Sequence, residues 1–227
     1  MNILVTAGPT REPIDPVRFV SNRSSGRMGY AVAEAARAAG HRVRLISGPV
    51  AERVKEQSIR CIPITTAAEM LAAVEANLPW CDVLVMAAAV ADWRPKRVAP
   101  LKLKKSDGPP RIEWEPTPDI LATLAPQKKP GQLFCGFAAE TDHVERNARV
   151  KLHRKQLDVI AANDVSRDDR GFASTHNALT LYWADGRIQQ IPYATKTRCA
   201  TQLMRALENF VSAKATKKSF KKATKKY

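Results

Sequence analysis

The sequence predicts an α/β fold built on a doubly wound, mostly parallel sheet with an added hairpin. Apolar runs that suit buried strands alternate along the chain with runs that have the periodicity of helices. Residues 83–91 are almost wholly hydrophobic, which is typical of a parallel strand covered on both faces. Asp185 and Gly186 separate two alternating segments, and this dipeptide favours an antiparallel hairpin.

The predicted elements follow in chain order. Strands are expected at residues 2–7, 41–47, 59–64, 83–91, 133–139 and 157–162, with hairpin strands at 177–183 and 188–191. Helices are expected at residues 27–39, 66–77, 119–124, 144–156 and 196–211. Gly40 is placed to end the first helix, and Thr65 or Thr66 to cap the second. Such an alternation indicates a Rossmann-like sheet.

Positive charge is concentrated at the end of the chain. The 227 residues carry a formal charge of +15, but seven lysines and no acid follow Glu208, which leaves +8 for residues 1–213. We therefore predict one domain over residues 1–212 and a basic, disordered tail over residues 213–227. A specific nucleic-acid function is not expected from the tail, because clustered lysines give only sequence-independent phosphate contacts. The positive balance of the domain suits phosphorylated substrates.

Several sequence features bear on the compartment. No stretch approaches the roughly 18 uninterrupted apolar residues that a membrane helix needs. The first residues enter a strand pattern without the basic and apolar regions of a signal peptide. The four cysteines are scattered and form no CxxC pair, which favours reduced thiols. We expect a cytoplasmic protein without membrane contact.

The first βα loop, residues 8–29, follows the carboxyl end of a strand, where open α/β sheets bind nucleotides. Ser24, Ser25 and Gly26 directly precede a helix, whose free backbone N–H groups form an anion site. Arg18 and Arg27 add positive charge to this loop. A GxGxxG pattern and an acid at the end of the second strand are absent, so a nicotinamide-dependent oxidoreductase is the less favoured alternative.

Residues 94–118 form a long irregular segment with four lysines, including Lys102, Lys104 and Lys105. Such a segment inside a compact domain is often a lid, and lysines on a lid can neutralise a triphosphate, although a solvated surface run remains the alternative. Asp92 follows the buried strand at 83–91, where it can bind a sugar hydroxyl or Mg²⁺ or cap a turn. Lys151 and Lys155 lie on one helical face, where they are either surface residues or ligands.

Together these segments resemble the phosphopantothenoylcysteine synthetase family, the synthetase half of a bacterial bifunctional enzyme of coenzyme A biosynthesis. The stretches that carry the resemblance are ILVTAGPTREPIDPVRFVSNRSSGRMG, AAAVADWRP, LKLKK, PTPDIL, GFAAET and AANDVS, in family order. The resemblance implies a ligase that joins 4′-phosphopantothenate to L-cysteine. It also implies CTP as the second substrate, with Mg²⁺, an acyl-cytidylate intermediate, and release of CMP and pyrophosphate.

The resemblance also implies roles for individual residues. It marks Asn22, Lys102 and Arg18 as catalytic, with Lys102 on an active-site flap. The implied nucleotide contacts are Ala88, Asp92, Lys102, Pro118, Asp119, Ile120, Leu121, Phe137, Lys151 and Lys155. The implied phosphate or substrate loop contains Gly8, Ser24, Ser25 and Gly26. No metal ligand is assigned, and family members are homodimers whose sites borrow a segment from the partner.

One departure from the family concerns domain content. Many bacterial relatives carry an N-terminal flavin-dependent decarboxylase domain, whereas this chain begins at the synthetase strand. We therefore expect no flavin. The chain is either a stand-alone synthetase that works with a separate decarboxylase or a piece of a longer protein. The residues alone leave the choice between CTP and ATP open.

Overall fold

The computed structural model describes residues 1–166, 171 and 174–223, with side chains up to Lys214 in the last helix, and contains an eight-stranded sheet. The strands in chain order are β1 Asn2–Ala7, β2 Arg11–Pro13, β3 Phe19–Ser21, β4 Arg42–Ser47, β5 Arg60–Pro63, β6 Val83–Met86, β7 Trp93–Pro95, β8 Trp114–Pro116, β9 Leu133–Glu140, β10 Val159–Asp164, β11 His176–Trp183 and β12 Ile188–Thr195. The sheet order is β12-β11-β10-β9-β6-β1-β4-β5. All neighbours from β10 to β5 pair in parallel, and β11 and β12 form the added antiparallel hairpin. The predicted fold class is confirmed.

Helices cover both faces of the sheet. They are α1 Arg27–Ala38, α2 Ala67–Asn77, α3 Ile120–Leu124, α4 Val144–Arg154 and α5 Lys196–Ala223. One core joins α1 and α5 to the face that carries Ile3 and Val5, and the other joins α2, α3 and α4 to the face that carries Leu4. Because successive strand residues point to opposite faces, a wholly apolar β1 serves both cores.

Two predicted helix ends are confirmed in detail. Thr66 caps α2 because its side chain accepts from the Glu69 N–H at 3.2 Å while the Glu69 carboxylate accepts from the Thr66 N–H. Gly40 follows α1 with a φ of 84°, a left-handed conformation that glycine adopts without strain. Its N–H bonds to the Arg37 carbonyl at 2.9 Å, which closes the last helical turn.

The predicted strand at residues 83–91 is too long. Strand β6 ends at Met86, and residues 87–91 bond instead with the Thr6 side chain near the end of β1 and with the loop that follows β1. Apolarity alone predicted a continued strand, but the backbone partners of this run lie in a loop. The other boundaries shift by a few residues, except that α5 extends well beyond residue 211 to Ala223.

Helix α5 enters the segment that the sequence predicts as a tail. Lys214, the first lysine of that segment, has its Nζ 2.9 Å from the Asp158 Oδ1. The disorder of residues 213–227 stays a prediction, and residues 224–227 lie outside the described residues. Within the described part of the chain, no helix combines the length and the apolar character needed to cross a membrane.

Asp158 anchors this end of the domain. It lies just before β10, pairs with Lys128 at 2.6 Å and with Lys214 at 2.9 Å, and accepts from the Phe134 N–H at 2.8 Å. Burial raises the pKa of Asp158, but the hydrogen bonds from Lys128, Lys214 and Phe134 outweigh burial, so the pKa lies below 3.8. The Asp158 carboxylate therefore stabilises the fold at every pH at which it is ionised.

Replacing Asp158 with asparagine is expected to lower the free energy of unfolding by about 2 kcal/mol at neutral pH, because two lysines lose their shared carboxylate. Because the pKa of Asp158 is lower in the folded state than in the unfolded state, its contribution to stability is fully present above the pKa of the unfolded state. The contribution is lost as the pH falls through the pKa of the folded state. Urea unfolding at neutral pH and below about pH 4 should show the difference from wild type shrinking in acid.

The matched control is Asp185→Asn, which removes an ion pair with Arg187 in the exposed hairpin turn. Exposed pairs contribute little, so a change within about 0.5 kcal/mol is expected. An equal loss of stability in the two variants would contradict the anchoring role of Asp158.

Candidate functional site

A cleft of about 740 Å³ opens at the carboxyl ends of β1 and β6. From β1 the chain continues to β4, which pairs with one edge of β1. It later returns to β6, which pairs with the other edge of β1. Such a reversal of strand order is the point where open α/β sheets bind ligands. The cleft lies where the sequence placed its first candidate loop.

The segment after β6 forms one wall of the cleft because it is tied to the loop after β1. The Ala89 N–H donates to the Gly8 carbonyl at 2.9 Å, and the Ala91 N–H donates to the Thr10 Oγ1 at 3.0 Å. Gly8 has a φ of 75°, which lets the loop turn at this point. The backbone around Ala88 is therefore held in a fixed position facing the cleft.

Asn22 joins these two segments through its side chain. The Asn22 Nδ2 donates to the Ala89 carbonyl at 3.2 Å and to the Val90 carbonyl at 2.9 Å. The residue directly follows β3 and lines the cleft. In this structure the amide donors of Asn22, which the resemblance marks as catalytic, are therefore engaged by backbone carbonyls. Asn22 thus positions the cleft wall, and its catalytic role stays a prediction.

The N-terminus of α1 opens into the same cleft. Gly26 caps the helix with a φ of 79°, and the Ser24 Oγ accepts from the Gly26 N–H at 3.3 Å. The helix lies very close to β1, since a Cβ on Gly29 would come within 2.5 Å of the Ala7 Cβ. Free N–H groups and the positive helix end make this part of the cleft suitable for an anion.

The opposite side of the cleft carries the implied nucleotide contacts. Asp119 caps α3 through a bond from the Ala122 N–H at 3.2 Å and pairs with the Lys155 Nζ at 3.1 Å. Lys151 pairs with the Glu140 carboxylate at 2.5 Å. Both lysines line the cleft from one face of α4, but each already has a carboxylate partner. A nucleotide would therefore compete with, or join, these ion pairs.

Asp92 offers an exposed carboxylate at the mouth of the cleft. Its backbone carbonyl accepts from the Thr117 N–H at 2.9 Å, which fixes the turn before α3. Within the described residues, the Asp92 side chain makes no hydrogen bond or ion pair, so the carboxylate is available to a ribose hydroxyl or to Mg²⁺. The described part of the chain holds no cluster of three or more metal-ligating side chains.

The far end of the cleft contains residues that sequence reasoning missed. These are Asn177 on β11 and Lys196 at the start of α5, which line the cleft together with Asn163. The Asn163 Nδ2 donates to the Asn177 Oδ1 at 3.3 Å. Strand β12 is antiparallel to β11, which is antiparallel to β10, so β12 ends at the same edge of the sheet as β10. A residue directly after β12 could have been placed at the cleft on that ground.

Arg18 and Lys102 lie outside the residues that line the cleft. We define the arm as the two hairpins β2–β3 and β7–β8 with their connecting residues. Asp15 joins them, because its buried carboxylate accepts from the Arg18 N–H at 2.8 Å and from the Leu103 N–H at 3.2 Å. The Arg18 guanidinium pairs with Asp15 at 2.7 Å and donates to the Leu103 carbonyl.

The pKa of Asp15 is consistent with this joint. Burial raises the pKa of Asp15, but the backbone donors of Val17, Arg18 and Leu103 outweigh burial and hold the pKa below its usual value. Asp15 is therefore ionised at neutral pH. Lys102 precedes Leu103 on the exposed part of the arm, and neither of the predicted catalytic cations on the arm lines the cleft of its own chain.

The structure brings most of the predicted site residues together. Those that line the cleft are Asn22, Ser24, Ser25, Gly26, Ala88, Asp92, Pro118, Asp119, Ile120, Leu121, Phe137, Lys151 and Lys155. Gly8 does not line the cleft and instead supports the loop from behind. The contribution of each residue to binding or catalysis stays a prediction.

The fold and the cleft define a doubly wound α/β protein with a cleft at the topological switch point, which is where proteins of this class bind ligands. The chain belongs to the family described as the DNA/pantothenate metabolism flavoprotein C-terminal domain, whose family model matches residues 1–211. This membership confirms the resemblance found in the sequence.

Individual relatives agree with the family assignment. The chain is 48% identical over 189 residues to the coenzyme A biosynthesis bifunctional protein CoaBC of Escherichia coli, with 82% of this chain and 46% of the relative covered. It is 44% identical over 206 residues to the Bacillus subtilis protein of the same name, with 91% and 50% covered. The chain thus spans about half the length of these relatives. A crystal structure of the C-terminal domain of CoaBC is 41% identical, with a TM-score of 0.79 and 93% and 96% of the two chains covered.

Proposed function

We propose that this chain joins 4′-phosphopantothenate to L-cysteine in a CTP-dependent ligase reaction. The observation that supports the proposal most directly is the single cleft that gathers the family motifs: the α1 N-terminus, Asn22, and the residues around Asp119 and Phe137. The 41% identity to the C-terminal domain of CoaBC, across nearly the whole of both chains, supports the same activity.

The proposed reaction has two steps. The carboxylate of 4′-phosphopantothenate attacks the α-phosphorus of CTP, which releases pyrophosphate and leaves an acyl-cytidylate. The amine of cysteine then attacks the acyl carbon, and CMP leaves with the electrons of the broken acyl–oxygen bond. Both steps bring anions together and need positioning and charge stabilisation rather than a covalent nucleophile of the protein.

The cleft residues fit these requirements. Backbone N–H groups of α1 offer donors to phosphate oxygens, and Lys151 and Lys155 supply positive charge from α4. Phe137 is half-buried in the cleft, where it can pack against the base or the ribose. Asp92 is placed to contact a Mg²⁺ ion that enters with the triphosphate, since such ions typically use one or two carboxylates and phosphate oxygens.

The arm supports a homodimer with shared sites. Of the nine large hydrophobic side chains that the described residues leave exposed, six lie on the arm: Val17, Phe19, Trp93, Val98, Leu101 and Trp114. Exposed apolar side chains concentrated on one part of a protein favour a protein–protein interface there. We propose that a second copy of this chain covers it, so that Arg18 and Lys102 reach the cleft of the partner.

The proposal assigns no flavin to this chain, because neither of the two proposed steps transfers electrons. Decarboxylation of the product then requires another domain or a separate protein. A cytoplasmic location follows from the same proposal, because CTP and phosphorylated intermediates are cytoplasmic substrates.

The test is pyrophosphate release measured with CTP, ATP, GTP or UTP in turn. We expect sustained release only when 4′-phosphopantothenate, L-cysteine and CTP are all present, because each turnover consumes all three. Omitting cysteine should restrict release to at most one equivalent per site. If none of the four nucleotides supported pyrophosphate release, the ligase proposal would be contradicted. An absorbance change with a nicotinamide cofactor would favour the oxidoreductase instead.

A further inference from the structure

Lys196 is a cation of the cleft to which the proposed reaction gives no role. Its side chain is buried, with 6% of its surface exposed, yet it contributes to the cleft lining together with Arg27 and Asn177. Burying an ammonium group is costly unless polar partners or an anion compensate for the lost hydration. The Lys196 Nζ donates to the Gly171 carbonyl at 2.8 Å, which helps to hold the ammonium group at this end of the cleft.

Charged groups on α1 and in the loop after β4 act on the pKa of Lys196. The pKa of Lys196 is lowered to about 8, first by burial and then by the Arg27 charge on α1, whereas Cys199 on α5 and Glu52 in the loop after β4 oppose the shift. Arg27 itself pairs with Glu52 at 2.9 Å. Lys196 therefore lies close enough to Arg27 for the two charges to interact, and an anionic ligand at this end of the cleft would be attracted by both.

The topology places Lys196 opposite the residues assigned to the nucleoside. Helices α1 and α5 pack on one face of the sheet, and both begin at the edge that forms the cleft. Helices α3 and α4, with Asp119 and Lys155, lie on the other face. A ligand that spans the cleft with its base at α3 and α4 would extend its charged end toward Gly26 and Lys196.

We propose that Lys196 binds a phosphoryl group of a substrate opposite the N-terminus of α1. This inference rests on the proposed ligase function for the identity of the substrates. Two substrates carry the required chemistry, the nucleotide with its polyphosphate and 4′-phosphopantothenate with its terminal phosphate. Lys196 supplies a charge-assisted hydrogen bond to phosphate oxygens, and the helix end supplies backbone donors from the other side.

The test compares Lys196→Met, which keeps the length and removes the charge, with Lys196→Arg, which keeps the charge. Calorimetric affinities are measured for inorganic pyrophosphate and for 4′-phosphopantothenate. For Lys196→Met we expect about a tenfold or larger loss of affinity for one of them, and a smaller loss for Lys196→Arg. A loss for pyrophosphate assigns the residue to the nucleotide, and a loss for 4′-phosphopantothenate alone assigns it to the acyl substrate.

The matched control is Arg205→Gln, which removes a positive charge from the exposed face of the same helix. Its affinities for both ligands should equal those of the wild type. If Lys196→Met melts earlier but binds both ligands as tightly as the wild type, Lys196 only clamps the Gly171 segment and the inference fails.

A second measurement covers the case in which Lys196→Met does not fold. Proton uptake on pyrophosphate binding near pH 8.5, obtained from calorimetry in several buffers, should be larger for the wild type than for Lys196→Arg, because only lysine is partly deprotonated before binding. Equal proton uptake would overturn the inference. Failure of the ligase proposal is distinguishable, since it would abolish cysteine-dependent pyrophosphate release in the wild type without affecting this binding comparison.

Discussion

Replacing Asn22 with aspartate is expected to slow the overall ligase reaction by about 100-fold or more, comparable to the loss of one donor that stabilises developing charge. The amide of Asn22 donates to the carbonyls of Ala89 and Val90 at 3.2 and 2.9 Å. A carboxylate would instead oppose these two oxygens and would also repel anionic substrates. The measurement is cysteine-dependent pyrophosphate release under saturating substrates, together with quenched-flow detection of the acyl-cytidylate.

We expect the acyl-cytidylate still to form in Asn22→Asp, because the anion-binding end of α1 is untouched, and to be consumed slowly. The same substitution at Asn209, on the exposed face of α5, is the matched control and should leave turnover unchanged. Wild-type activity in Asn22→Asp would remove Asn22 from the chemistry. Loss of the folded state in that variant would show that its bonds to Ala89 and Val90 serve stability alone.

The parts of the fold that follow from local patterning could be predicted from the sequence. The apolar β1, the capping sequence at Thr66 and the glycine at position 40 each specify their structure within a few residues. The loop from Gly8 to Gly26 could be assigned to the cleft because it joins a strand to a helix, and this connection always lies at the carboxyl end of the strand.

The rest depended on contacts between distant segments. The end of β6 at Met86 is set by hydrogen bonds from residues 87–91 to Thr6 and to the first loop, and no sequence periodicity predicts these bonds. Lys196 reaches the cleft only because the β11–β12 hairpin returns the chain to the same edge. Likewise, Asp15 joins Arg18 to the backbone of Leu103, and this contact between distant residues has no local sequence pattern.

The position of the arm leads to a prediction for Lys102. Replacing Lys102 with glutamine should lower kcat/KM for CTP by about 100-fold, because a cation that meets the triphosphate is lost. The same change at Lys104, also exposed on the arm, is the control and should have a much smaller effect. Neither variant should unfold more easily than the wild type, because neither side chain is buried.

Mixing inactive variants tests whether the arm serves the partner's cleft. Asn22→Asp has a defective cleft and an intact arm, whereas Lys102→Gln or Arg18→Gln has an intact cleft and a defective arm. If the arm acts in trans, each mixed dimer contains one site with both parts intact. Unfolding and refolding an equal mixture should then restore about a quarter of the wild-type activity, since half the dimers are mixed and each has one working site of two.

If the arm acts on its own chain, every site in the mixture keeps one defect and no activity returns. Recovery with Arg18→Gln but not with Lys102→Gln would assign only Arg18 to the partner's site, and recovery with neither would contradict the shared site.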